Sequence, residues 1–171
     1  MHILQIVSGR GVNGAIIHCL ELTKGLLRRG HRVTLACRPN SWIAEQLQDE
    51  PVEIVVSKLD RFPPRDLRDM ARLCRERQVE LVHTHQSRAH FFGVLLRRVF
   101  AGPPTVATAH RSLFQPHWPW NDLVIATSAQ TAQYHQRWNL VPRHKTAIVR
   151  NFIQTEKFRG TPASAGARVR R

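Results

Sequence analysis

The chain has 171 residues, with 26 Lys and Arg against 12 Asp and Glu, and its formal net charge of +14 at pH 7 favours anionic partners: nucleic acid, phosphorylated substrates or acidic lipid. No apolar run approaches the ~20 residues of a membrane-spanning helix, and the opening MHILQIVSG lacks the basic segment and apolar length of a signal peptide. Cys19, Cys37 and Cys74 are odd in number and widely spaced, unlike a disulfide framework or a zinc site, so they read as buried thiols in a one-domain cytoplasmic protein.

Residues 2–7, HILQIV, form the short apolar run of a buried strand. The glycine-bearing loop SGRGVNGA follows. Over IIHCLELTKGLLRRG, Ile16, Leu20 and Leu27 recur at helical spacing. Asn13 is placed to cap the start of this helix, and Gly30 to close its end in the left-handed conformation. RVTLAC, residues 32–37, is a β-branched strand that Arg38, Pro39 and Asn40 break. Ser41 is placed to cap a short helix over WIAEQLQ, and residues 52–56, VEIVV, read as the third strand. PRDLRDMARLCRERQ is helical, with Leu67, Met70, Ala71 and Cys74 on its buried face and arginines interleaved with Asp66, Asp69 and Glu76 outside.

ELVHTH is the fourth strand, SRAHFFGVLLRRVF a helix ended by AGPP, and TVATAH the fifth strand. RSLFQPHWPW is an irregular loop. DLVIATS is the sixth strand, AQTAQYHQRW a helix, and residues 146–149 a further short strand. This alternation predicts a doubly wound α/β fold over residues 1–150: a mostly parallel, Rossmann-like sheet with helices on both faces. Residues 151–160 read as a connector, and residues 161–171, TPASAGARVRR, as a disordered basic tail.

In such a fold ligands bind at the carboxyl ends of the strands, near the switch in strand order. The residues that follow each strand are therefore the candidates. Strand one gives Gly11, Asn13 and Gly14; strand four gives His83, His85, Gln86, Ser87 and Arg88; strand five gives His110 and Arg111. The glycine loop reads either as a tight turn or as an amide nest at a helix start, suited to phosphate. His83 and His85 lie two apart on a strand and share a face. No third ligand of suitable spacing is evident, so no metal is expected; one histidine reads as a buried prop and the other as lining the cleft. His90 reads as structural. Phe114, Trp118 and Trp120 read either as an exposed aromatic loop beside basic residues, suited to a membrane interface, or as a loop packed on its own domain.

Taken in order, several stretches resemble the N-terminal domain of family 4 glycosyltransferases, the retaining enzymes of GT-B fold. MHILQIVS with its glycine loop and LTKGLLRRGHRVTLA resemble the family's opening strand, loop, helix and turn into strand two. VELVHTHQSRAHFFGVLLRRVFAGPPTVATAH, DLVIATSAQTAQ and IVRNFIQTEKF resemble its later blocks, through to the interdomain linker, so the likeness covers roughly residues 1–159. The sequence departs from the family at Asn13, where a glycine is usual, and at Phe152 and Thr155 in the linker. The family's donor-binding domain does not appear after the linker.

The resemblance implies an acceptor-binding lobe that cooperates in transferring sugar from a nucleotide-sugar donor to a lipid-linked or polysaccharide acceptor, with no required metal or cofactor. It implies that Gly11, Asn13 and Gly14 approach the donor phosphates. It places His110 at the reaction centre, and His83, His85, Ser87, Arg88 and Arg111 toward the acceptor. Without a second lobe or a partner chain the expectation is no activity, and the basic charge fits a peripheral place at an anionic membrane face. Two other readings compete. A nucleic-acid-binding module explains the charge, but the aromatics form no stacking platform. An NAD-type or nucleotide-sugar-modifying Rossmann enzyme fits the outline Gly9-x-Gly11-x-x-Gly14, but strand two ends in Arg38 rather than an acid, and Tyr134, the only tyrosine, heads no Tyr-x-x-x-Lys pair.

Overall fold

β1 (His2–Val7) is buried at all six positions, as a central strand covered on both faces requires. It pairs in parallel with β2 (Arg32–Cys37) on one side and with β4 (Leu81–His85) on the other. With β3 (Glu53–Val56), β5 (Thr105–Ala109), β6 (Leu123–Ala126) and β7 (Thr146–Ile148) it forms a seven-stranded sheet of order β3-β2-β1-β4-β5-β6-β7. Every pairing among the described residues is parallel. This computed structural model describes residues 1–59 and 64–151; the connector beyond Asn151 and the basic tail lie outside the described residues.

The helices are α1 (Gly14–Arg28), α2 (Trp42–Glu45), α3 (Pro64–Glu76), α4 (Ser87–Val99) and α5 (Ala129–Trp138). From β1 the chain winds outward through α1 and α2; from β3 it crosses back through α3 and winds the other way. Right-handed crossovers then place α1 and α2 on one face and the later helices on the other. The two main cores agree. Ile16, Cys19, Leu20 and Ile43 pack with Val7, Leu35 and Cys37 on one face, while Leu67, Met70, Cys74, Phe92 and Leu96 pack with Leu4, Ile6 and Val82 on the other. Neighbouring strand residues alternate between the two sets, as the period of two demands.

Local chemistry explains the element ends. Asn13 caps α1, its Oδ1 accepting from the backbone N–H groups of Ala15 and Ile16 at 3.1 Å each. Gly30, at φ 77°, closes α1: the His31 and Gly30 N–H groups donate to the Leu26 and Leu27 carbonyls at 3.1 and 2.9 Å. α3 buries the four apolar residues its spacing predicts; of these Leu67 and Met70 are each worth about 1.5–3 kcal/mol when fully buried. Two expectations differ. α2 ends at Glu45, shorter than the seven residues expected, and Ser41 makes no side-chain cap; its hydroxyl donates to the Gly9 carbonyl at 3.3 Å instead, tying α2 to the glycine loop. Cys19, Cys37 and Cys74 are free and buried, and burial pushes the Cys19 and Cys74 thiols up to about 12. Among the described residues no helix is long and apolar enough to cross a membrane.

The strand order reverses between β1 and β4. Their carboxyl ends, with that of β5, stand side by side, and the loops that follow them build the site.

Candidate functional site

The glycine loop meets the β4–α4 junction across the reversal point. Gln86, between β4 and α4, holds a positive φ of 75°, a conformation that costs a non-glycine residue about 1 kcal/mol or more. Its Nε2 donates to Asn13 Oδ1 at 3.2 Å. Gly9 accommodates the Gln86 side chain: a Cβ there would lie 2.6 Å from Gln86 Oε1 and 2.7 Å from Ile16 Cδ1. At Gly11 and Gly14, by contrast, a Cβ would meet no protein atom within 4 Å.

Asn13 already occupies two of the first amides of α1, so the amide nest expected there is partly closed from within. α4 differs. Its N-terminus, at Gln86 and Ser87, has no side-chain cap, and helix-start N–H groups and dipole favour an anion.

A cavity of about 500 Å³ lies between these two helix starts. Asn13, Gly14, Gln86 and Ser87 line one side, and His110, Arg111, Gln115 and Trp118 the other. The loop after β5 is pinned from behind. His135 Nε2 donates to the Arg111 carbonyl at 3.0 Å, and Asn139 accepts from the Gln115 N–H at 2.7 Å and donates to the Leu113 carbonyl at 2.9 Å. Arg111 itself is exposed at the cavity wall.

Behind this wall lies a layer of histidines on the α1 face of the sheet. His83 Nε2 bonds Thr108 Oγ1 at 2.7 Å, and the His83 and His85 rings stack with centroids 4.5 Å apart. His85 Nε2 donates to Gln5 Oε1 at 2.7 Å. The His18 ring, from α1, sits edge-on to His110 at 4.8 Å and 5.8 Å from His85. One ring nitrogen from each of His18, His85 and His110 falls within 4.8 Å of the other two. Burial, reinforced by the neighbouring rings, lowers His83 to about 3 and His110 to about 4, and pulls His85 well below the usual histidine range. Burial also lowers His18. These rings are neutral at pH 7.

Of the residues singled out in the sequence, Asn13, Gly14, Ser87, His110 and Arg111 are brought together on the cavity. Gly11 is exposed on the loop beside it, Arg88 is exposed on α4, and neither lines it. His83 and His85 are both buried, so the reading in which one of them lines the cleft is corrected: strand alternation turns both into the sheet face. His90 is buried, with Nδ1 bonded to Thr84 Oγ1 at 2.9 Å. The aromatic loop divides. Trp118 is buried between His90 and His135, at 4.6 and 4.2 Å, whereas Phe114 and Trp120 are exposed. His18 escaped the sequence reading because the apolar stripe of α1 passes on either side of it; only its place one turn past the helix cap hinted at the rim. Gln115 was hidden in a loop without periodicity, and Trp118, singled out only as a membrane-facing or packed aromatic, also lines the cavity.

A family model described as Glycosyltransferase Family 4 matches residues 12–157. No curated protein matches the sequence significantly. Among solved structures, a glycosyltransferase from Rickettsia africae ESF-5 superposes with a TM-score of 0.80 at 17% identity, over 98% of this chain and 48% of that one. Anabaena Alr3699/HepE in complex with UDP superposes with a TM-score of 0.78 at 15% identity, over 99% and 49%. The apo form of the lipopolysaccharide outer core galactosyltransferase WaaB superposes with a TM-score of 0.68 at 11% identity, over 90% and 46%. The chain thus spans about half the length of each, and its fold is that of one GT-B lobe.

Proposed function

The chain belongs to glycosyltransferase family 4, and from that premise we propose that its lobe forms the acceptor side of a sugar-transfer cleft, with the cavity at the β1–β4 reversal as the place where donor phosphates and acceptor meet. The observation that carries this reading is the convergence of His110, Arg111 and the starts of α1 and α4 on one cavity. The proposed donor is a nucleoside-diphosphate sugar, the class seen in the Alr3699/HepE complexes with UDP and UDP-glucose. The proposed acceptor is a glycan or a lipid-linked sugar, which accords with the lipopolysaccharide galactosyltransferase among the similar structures.

The residues divide the work by charge. The uncapped start of α4 and the Arg111 guanidinium supply donors and positive potential for a diphosphate, whose negative charge grows as the sugar leaves. Gly14 contributes bare backbone, and the open space where a Cβ would stand lets a phosphate approach closely. His110 is neutral, so in this reading it positions a sugar hydroxyl by hydrogen bonding rather than by charge. Transfer also requires a second wall to hold the nucleotide, of the kind the other half of the similar structures would provide, and the isolated lobe is proposed to bind without turning over.

Calorimetric titration with UDP and UDP-glucose tests the reading. Weak binding that falls several-fold in Arg111→Ala supports it. Failure of both ligands to bind at millimolar concentration, or binding indifferent to Arg111, contradicts it.

A further inference from the structure

We propose that His18, His85 and His110 form a site for one divalent transition-metal ion of the zinc type, set into the wall behind the cavity. The three residues come from separate rigid elements: the second turn of α1, the last position of β4 and the residue after β5. Ring nitrogens from all three already lie within 4.8 Å of one another. Around a tetrahedral ion with metal–nitrogen bonds of about 2.0–2.1 Å, three imidazoles place their nitrogens about 3.3 Å apart and their ring centres about 5 Å apart. The ring centres here stand 4.8, 5.8 and 6.2 Å apart, so small side-chain rotations close the set around an ion.

A second observation points to a ligand. His85 is fully buried, and its Nδ1 has no hydrogen-bond partner; the buried Nε2 of His110 has none either. A buried ring nitrogen left unpaired is destabilising, and coordination through these two atoms would satisfy both at once. The hydrogen bond to Gln5 fixes the chemistry of His85. Because Nε2–H donates to Gln5 Oε1 at 2.7 Å, the lone pair resides on Nδ1. An outer partner that sets the tautomer and orients the ring is how metal-ligating histidines are usually held.

The donor set selects the ion. Three neutral imidazoles with no carboxylate suit Zn²⁺, Co²⁺, Ni²⁺ or Cu²⁺ and give Mg²⁺ or Ca²⁺ nothing they prefer. Among the described residues no carboxylate joins the three histidines, so the fourth ligand is water or an anion. The site shares His110 with the sugar-transfer reading, but the titration below reads metal binding alone, so either reading can fail without the other.

Titration of the full chain with Zn²⁺ and Co²⁺ at pH 7.5, with Mg²⁺ in parallel, tests the inference. The expected result is one Zn²⁺ or Co²⁺ per chain, a Co²⁺ visible spectrum of tetrahedral intensity, and no Mg²⁺ binding. His18→Ala and His110→Ala should each weaken Co²⁺ binding at least tenfold, while His144→Ala, on an exposed turn, leaves it unchanged. Far-UV circular dichroism and melting establish that each variant is folded, and His18→Gln serves if the alanine variant is not. Absence of stoichiometric binding, or binding that persists in folded His18 and His110 variants, overturns the site. Loss in His144→Ala equal to that in His18→Ala overturns it as well.

Discussion

Gln5 and His85, 80 positions apart in sequence, meet at the centre of the sheet, where His85 Nε2–H donates to Gln5 Oε1 at 2.7 Å and both side chains are fully buried. Replacing Gln5 with Leu removes the acceptor and leaves a buried N–H unpaired, at a cost of about 1–3 kcal/mol. The melting temperature should fall by roughly 2–4 °C per kcal/mol for a chain of this size. The imidazole nitrogen shifts of His85 should also report a changed tautomer. An unchanged melting temperature and unchanged shifts would show that the pair does not hold the ring.

Gly9 and Gly14 respond oppositely to a methyl group. In Gly9→Ala the new Cβ lies 2.6 Å from Gln86 Oε1 and 2.7 Å from Ile16 Cδ1, an overpacking that costs about 1–3 kcal/mol. Gly14→Ala meets nothing and should leave stability within about 0.5 kcal/mol of the parent, or raise it slightly at this helix position. It should nevertheless weaken UDP binding, because the methyl occupies the space a phosphate would need. Chemical denaturation and calorimetry of the two variants separate these effects.

Histidine burial sets an acid limit. His83 and His117 are each 7% exposed, and burial lowers them to about 3 and about 4 from an ordinary value of 6.5. In the unfolded chain these rings protonate first as the pH falls, so the stability their neutrality confers is complete above 6.5 and is lost progressively as the pH drops toward 4. Between pH 7.5 and 5.5 the two rings together should cost on the order of 2 kcal/mol. Urea unfolding at the two values checks this; equal stability at both would contradict it.

The aromatic loop offers a contrast within three residues. Trp118 is 3% exposed and packs against His90 and His135, so Trp118→Ala should cost about 3–5 kcal/mol. Trp120 is 52% exposed, and Trp120→Ala should change stability by no more than about 0.5 kcal/mol. Thermal melts of the two variants decide whether the burial assigned to each ring is correct.

The order and kind of the elements were legible in the sequence because each carried its own local signal. The Asn13 cap, the Gly30 stop and the apolar spacing of α3 all appear where the residues alone placed them. Boundaries were weaker: α2 starts where expected but ends at Glu45, beyond which the chain turns more tightly, the Leu47 and Glu50 N–H groups donating to the Ala44 and Leu47 carbonyls at 3.2 and 3.1 Å. At the site, residues just after strand ends could be found by rule, which is why His110, Arg111 and Ser87 share the cavity with Gly14. His18 could not, since its meeting with His85 and His110 depends on how α1 lies across the sheet. The depth of His83 and His85 was equally hidden: alternation assigns a shared face but does not say whether that face is open.

Chemical-shift mapping of the labelled chain with UDP-glucose tests the central claim most directly. The account predicts saturable shifts concentrated at Gly14, Gln86, Ser87, His110 and Arg111. Shifts that instead fall on the opposite end of the sheet, near Gly30 and Glu80, or none at millimolar ligand, would contradict it.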